Sequence, residues 1–202
     1  MFSGALVQIA SIGALAALMA LIPFLLLVSL AGLAISIYNR LVRGRMRTRE
    51  AWSGIQVQLK RRASLIPNLV ETVRGYADHE HEVFAEVAQA RGAMTTASGP
   101  ASAAAADQTL TLALGRLMAV AESYPQLQAA GNFKQLQDDL ADTEEKIAYA
   151  RQFYNQNALS YNATIQSFPT NMLAGWFKFE PVDFYAADEG AAEDVKVNFT
   201  AA

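Results

Sequence analysis

The sequence predicts an all-α protein: an N-terminal transmembrane helix followed by a long-helix antiparallel bundle of two long and two short helices. Three observations carry that expectation. Residues 1–39 contain no charged side chain. Apolar residues then recur on the two inner positions of a heptad through two long segments, which marks a buried helix seam. No alternating strand pattern competes with them.

The first element is the apolar run. Residues 15–37, LAALMALIPFLLLVSLAGLAISI, exceed the roughly 20 apolar residues that a spanning helix needs. A cleaved signal peptide fits less well, because no cation precedes the run and the run is too long. Pro23 is tolerated in a membrane helix, where it predicts a kink. Arg40, Arg43, Arg45, Arg47 and Arg49 follow directly as a lipid-facing basic collar. The positive-inside rule then places the N-terminus outside and the rest of the chain in the cytoplasm. Residues 1–38 are therefore expected to be a single-pass, uncleaved anchor.

That anchor is overlong. As one helix, residues 2–38 extend about 55 Å, against a hydrocarbon core of about 30 Å. A stretch around Leu6, Val7, Ile9, Ile12 and Leu15 must leave the core while still apolar. It can lie in the far headgroup layer, fold back after Pro23, reach an opposing membrane, or pack against copies of itself. Small residues four apart favour self-packing, and Gly13 and Ala17 are the expected homo-oligomer contact.

Residues 39–168 are expected to form the bundle. The first long helix, residues 39–77, has the seam Trp52, Ile55, Leu59, Arg62, Ile66, Leu69, Val73 and Tyr76. Asp78 is placed to cap a second helix with Val83, Val87 and Met94 inside. Residues 98–106, SGPASAAAA, break the pattern and are expected as a loop. Asp107 is then placed to cap a third helix carrying Leu110, Leu114, Leu117 and Ala121, which Pro125 ends. Asn132 with Gln135 resembles a capping box. From Phe133 the seam runs through Leu136, Leu140, Thr143, Ile147, Ala150, Tyr154, Asn157, Tyr161 and Thr164. Asn155 and Asn162 read as polar layers of the bundle.

The lengths imply the packing. The two long helices have about 37 residues each, roughly 55 Å, and the two short ones about half that. Four helices are then side by side only in the half distal to the membrane. Near the membrane the long pair has only itself, and residues 169–202 are the expected third layer. Residues 168–185, FPTNMLAGWFKFEPVDFY, hold six aromatic residues, and Phe168, Trp176, Phe177 and Phe179 are expected to be buried there.

Arg62 and Pro67 oppose this pattern, as a cation and a helix breaker inside one seam. A buried cation must be paired, and an antiparallel return brings Asp142, Glu144 and Glu145 past it. Glu144 and Glu145 are the leading partners for a structural ion pair. Pro67 frees the carbonyl of Ala63. Both features read as instructions for shape.

Composition excludes several functions. The chain of 202 residues has no Cys, so disulfides, thiolate metal sites and a cysteine nucleophile are absent. Its net charge of −3 and the lack of aromatics among its cations argue against nucleic acid. Eight of the 16 Lys and Arg lie between Arg40 and Arg62, and the C-terminal part is acidic. The HEHE run at residues 79–82 places its histidines about 200° apart on a helix, whereas a zinc pair needs i and i+4. It reads as a solvated first turn. The run DDLADTEE, residues 138–145, reads as a solvated helix face. No catalytic, cofactor-binding or metal residue is expected.

The tracts YNRLVRGRMRTREAWSGIQVQLKRRASLIPNLVETVRGYADHE (residues 38–80) and YPQLQAAGNFKQLQDDLADTEEKIAYARQFYNQNALSYNATIQSFP (residues 124–169), with the tail, resemble the LemA proteins. The apolar N-terminus is longer than in most members. The resemblance implies a bacterial inner-membrane anchor, a long-helix antiparallel bundle and no enzymatic activity. One branch is linked to building organelle membranes, and other members to envelope stress and membrane proteases. Two functions are therefore expected. The first is a homo-oligomeric scaffold that binds anionic lipids and organises or remodels a bacterial membrane. The alternative is an adaptor or sensor for a membrane protease or envelope-stress protein.

Overall fold

The computed structural model describes the backbone of residues 2–185 and the side chains of residues 19 and 21–185. Every regular element among them is helical: α1 (Phe2–Arg74), α2 (His81–Thr96), α3 (Pro100–Glu122), α4 (Pro125–Gln128), α5 (Gly131–Gln166) and α6 (Thr170–Trp176). Two are long, with 73 residues in α1 and 36 in α5. The span and the first bundle helix, separate domains by composition, are one element. Helical assignment continues through Pro23 and Pro67. The lost backbone bond at Pro67 is replaced, because Arg91 Nε donates to the Ala63 carbonyl at 2.9 Å. That acceptor is the one a proline at position 67 leaves open.

Local expectations fail at three helix starts. Asp78 does not cap α2, which begins after Glu80 without a side-chain cap. Residues 100–106 are the start of α3 rather than a loop. Pro100 occupies the first turn, where its missing N–H costs nothing, and Gly99 supplies a φ of 87°. The alanines that follow are the best helix formers, and Ala103, Ala104 and Ala106 are buried. Asn132 forms no capping box either: α5 already begins at Gly131, and Asn132 Oδ1 accepts from the next N–H, of Phe133.

The protein divides into two compact units. Among the described residues, one comprises residues 46–162 with 181–185, the other residues 2–45 with 163–180. In the first of these, a single apolar core is gathered from α1 to α5 and from Tyr185. Ile55, Leu59, Ile66, Leu69 and Val73 of α1 are buried, as are Leu110, Leu114, Leu117 and Ala121 of α3. Each buried Leu, Ile or Val contributes about 1.5–3 kcal/mol relative to exposure. Tyr76 lies past the end of α1 and is 44% exposed, its place in the core taken by Ala77. The α1–α5 pairing is antiparallel: Thr48 donates to the Asn157 carbonyl, Trp52 packs on Tyr154, and Arg61 pairs with Asp142. Along α5 the seam holds at Tyr154 and Tyr161, while Asn157 and Thr164 give way to the next residue, Ala158 and Ile165. A straight helix drifts about 20° per heptad against a strict seven-residue repeat.

In the other unit, Ile37 and Leu41 of α1 are buried with Ile165, Thr170 and Ala174. Tyr38 makes edge contacts with Phe177 and Phe179, centroids 5.0 and 5.9 Å apart. The expected burial of the tail aromatics is corrected here. Phe168, Trp176 and Phe177 are exposed, by 79%, 84% and 54%, and only Phe179 is half-buried. The reason is the register of α6, whose inner face presents the small Thr170 and Ala174 and so turns Met172 and Trp176 outward. The surroundings of Gly13 and Ala17, and residues 186–202 of the tail, lie outside the described residues.

Candidate functional site

The polar residues of the bundle converge on Arg62. Its Nη1 lies 2.7 Å from Asp107 Oδ1 and 2.8 Å from Glu144 Oε2, and its Nη2 donates to Thr111 Oγ1 at 3.0 Å. Thr111 in turn donates to the Asp107 carbonyl one turn back. Tyr185 donates its hydroxyl to Asp107 Oδ2 at 3.2 Å. Arg62 and Asp107 are 5% and 8% exposed, while the Glu144 side chain is 52% exposed. The group therefore joins α1, α3, α5 and the chain after residue 180. Glu145, the other expected partner, makes no ion pair among the described residues. It lines a shallow groove with Gly54, Gln58, Tyr149 and Phe153. Residues 144 and 145 are about 100° apart on the helix, so only one can face Arg62.

Asp107 was expected as a cap and is the principal partner. Its signal was in the sequence: the 3-4 spacing of Leu110, Leu114, Leu117 and Ala121, carried back one step, reaches Asp107. An acid and a cation thus occupy seam positions on different helices. A buried acid and base left unpaired would each be strongly destabilising. Together they specify which faces meet.

Residues 181–185 form an extended strap, held by two asparagines of α5. Asn162 Oδ1 accepts from Val182 N–H and its Nδ2 donates to the Val182 carbonyl, both at 2.9 Å. Asn155 treats Tyr185 the same way, again at 2.9 Å. The spacings match: seven residues of helix rise about 10.5 Å, and three residues of extended chain about 10 Å. Asn155 and Asn162 are thus backbone clamps rather than polar layers. Between them Tyr154 donates to the Asp183 carbonyl at 2.6 Å. The clamps seat Tyr185 beside Trp52, ring centroids 6.4 Å apart. Burial, reinforced by the Asp107 charge, holds the Tyr185 hydroxyl well above the ordinary tyrosine pKa. Burial raises Tyr154 as well, with the Asp183 charge adding to it. Both stay protonated and act as donors.

The remaining charged features are on the surface. Arg40, Arg43, Arg45, Arg47 and Arg49 are all exposed on α1. A hydrogen bond from Lys146 holds Asp142 below its ordinary pKa, with Arg61 adding its charge. His79 lies in the turn before α2 and His81 opens it, both exposed. Among the described residues no group of three His, Asp or Glu is placed to hold a metal ion. The apolar part of α1 is long and apolar enough to cross a membrane, and only 6% of that stretch lies inside the protein. A core helix of that composition would be covered.

The chain is 30% identical over 159 residues to magnetosome protein MamQ of Magnetospirillum gryphiswaldense, covering 66% of this chain and 58% of that protein. It is 30% identical over 174 residues to magnetosome protein MamQ 2 of Paramagnetospirillum magneticum, covering 73% and 64%. The chain thus spans less than two thirds of the length of these relatives. Protein LemA of Metamycoplasma hominis is 27% identical over 158 residues, covering 78% and 72%. The model of the LemA family matches residues 51–199, which include Arg62, Asp107, Glu144, both clamps and the strap. A membrane-associated helical protein with this bundle and this match belongs to the LemA family.

Proposed function

We propose that the protein is a homo-oligomeric helical scaffold, anchored in a bacterial inner membrane with its N-terminus outside, that organises or remodels that membrane from the cytoplasmic face. The observation that carries this is the uncovered apolar stretch of α1, on the same helix as the first seam of the bundle. The exposed collar supplies the affinity for anionic lipid, at about 1 kcal/mol per arginine near the headgroups. It also sets the orientation. The buried polar groups of the bundle are used to hold its own helices and strap together, which suits a structural part without catalysis. The magnetosome names of two relatives favour the scaffold over an adaptor.

The test is the size of the full-length protein purified in mild detergent. A scaffold forms large uniform particles in mass photometry and electron micrographs. Bulky substitutions at Gly13 and Ala17 should shrink them. A small particle that co-purifies with a membrane protease or stress protein supports the adaptor instead. A monomer without a partner overturns the scaffold.

A further inference from the structure

α6 and the residues around it expose more large apolar surface than a seven-residue helix needs for its own packing. Met172 and Trp176, one turn apart, are 66% and 84% exposed, and Phe168 and Phe177 add to them. Two observations say what covers this surface. The first is its level along α1. Phe177 packs edge-on against Tyr38, and Tyr38 directly follows the apolar run of residues 15–37, two positions before the first cation, Arg40. In a spanning helix that point is the boundary between hydrocarbon and headgroups, where tyrosine and tryptophan collect. The Trp176 ring lies 6.1 Å from that of Phe177, tilted to it, and so stands at the same boundary.

The second observation is charge. This unit carries Arg40, Arg43, Arg45 and Lys178 against Glu180 alone. An apolar face on a unit of net positive charge fits an anionic lipid surface better than a second copy of itself, whose cations would repel.

We propose that α6 is a second membrane contact, lying in the headgroup layer beside the anchor with Trp176, Met172 and Phe177 inserted. This rests on the anchor reading but not on the oligomeric one. The anchor thereby meets the membrane as a broad foot instead of a single helix. Insertion at this depth needs no further hydrocarbon-spanning length, since an interfacial helix sinks only about 5–10 Å.

The chain has two tryptophans, so Trp52→Phe in the full-length protein leaves Trp176 as the only one. Reconstituted into phosphatidylcholine–phosphatidylglycerol vesicles, its emission should shift to the blue. Lipids brominated near the headgroup end of the acyl chain should quench it about twofold or more, as expected at interfacial depth. If Trp52→Phe does not fold, the difference between the unaltered protein and Trp176→Phe, an exposed site, gives the same signal. Water-like emission, quenched by iodide and insensitive to bromolipid, overturns the proposal while leaving the anchor intact. A blue shift that ignores bromolipid and fades as protein is diluted in lipid shows a second copy on this face, and also overturns it. A chain that does not float with vesicles removes the anchor and this contact together.

Discussion

Replacing Arg62 with alanine separates a buried ion pair from an exposed one at the same guanidinium. Arg62 and Asp107 are 5% and 8% exposed, and the remaining Asp107 hydrogen bond from a side chain is the long one from Tyr185, at 3.2 Å. Arg62→Ala leaves that carboxylate buried without its cation, and breaking such a pair costs about 3–5 kcal/mol. Glu144 has a half-exposed side chain, so water replaces the guanidinium there. Glu144→Ala should cost under about 1 kcal/mol. Asp107→Ala should fall between, because Glu144 still offsets the stranded cation. The double variant Arg62→Met with Asp107→Leu removes both charges and should recover most of the loss, since apolar replacement of a buried pair is often neutral. Urea unfolding of the detergent-solubilised protein, followed by far-ultraviolet circular dichroism, measures each midpoint, with an unchanged slope as the check on two-state behaviour. If Glu144→Ala costs as much as Asp107→Ala, or Arg62→Ala costs under about 1 kcal/mol, the register argument fails.

Asn155→Ala and Asn162→Ala each remove two hydrogen bonds to the strap, at about 1–3 kcal/mol. The pair should cost less than their sum, because one loss already frees the strap; limited proteolysis near residue 185 should accelerate in both. Stability should fall as pH rises above 10. Tyr185 and Tyr154 hold their protons in the folded state, while the unfolded tyrosines release theirs at the ordinary value of 10.0. Thermal melts across that range should show a shallower decline for Tyr185→Phe, and an unchanged decline would remove Tyr185 from the account. Neutralising Arg40 and Arg43 with glutamine should weaken binding to anionic vesicles about fivefold per residue, and salt should weaken it in the same way; equal binding to neutral vesicles would leave the collar a topological signal only.

The helix seams were legible from spacing alone, because a 3-4 alternation can be buried on only one face of a helix. Leu59, Leu69, Leu110, Leu117, Ile147 and Tyr154 all occupy the core as that spacing requires. The apolar span and its arginine collar were legible for a similar reason: length and charge order are properties of the chain. The free carbonyl at Ala63 followed from Pro67 by covalent geometry, although its donor, Arg91, did not.

What tertiary structure decided were pairings between residues far apart in sequence. Arg62 demanded an acid, and the nearest acids by topology were on α5; the deeper partner came from α3, 45 residues away. A local rule made Asp107 a cap, and burial beside Arg62 overrode it. The run at residues 98–106 looked like a loop by composition, until packing rewarded its alanines for their small size. The clamping asparagines could not be told from polar layers, since the strap they hold has no periodicity of its own. Seams, span and collar were determined by the sequence because each is a short-range pattern with one physical solution. The ion network, the strap and the outward face of α6 awaited the fold, because each depends on which of several chemically adequate partners the packed helices bring within reach.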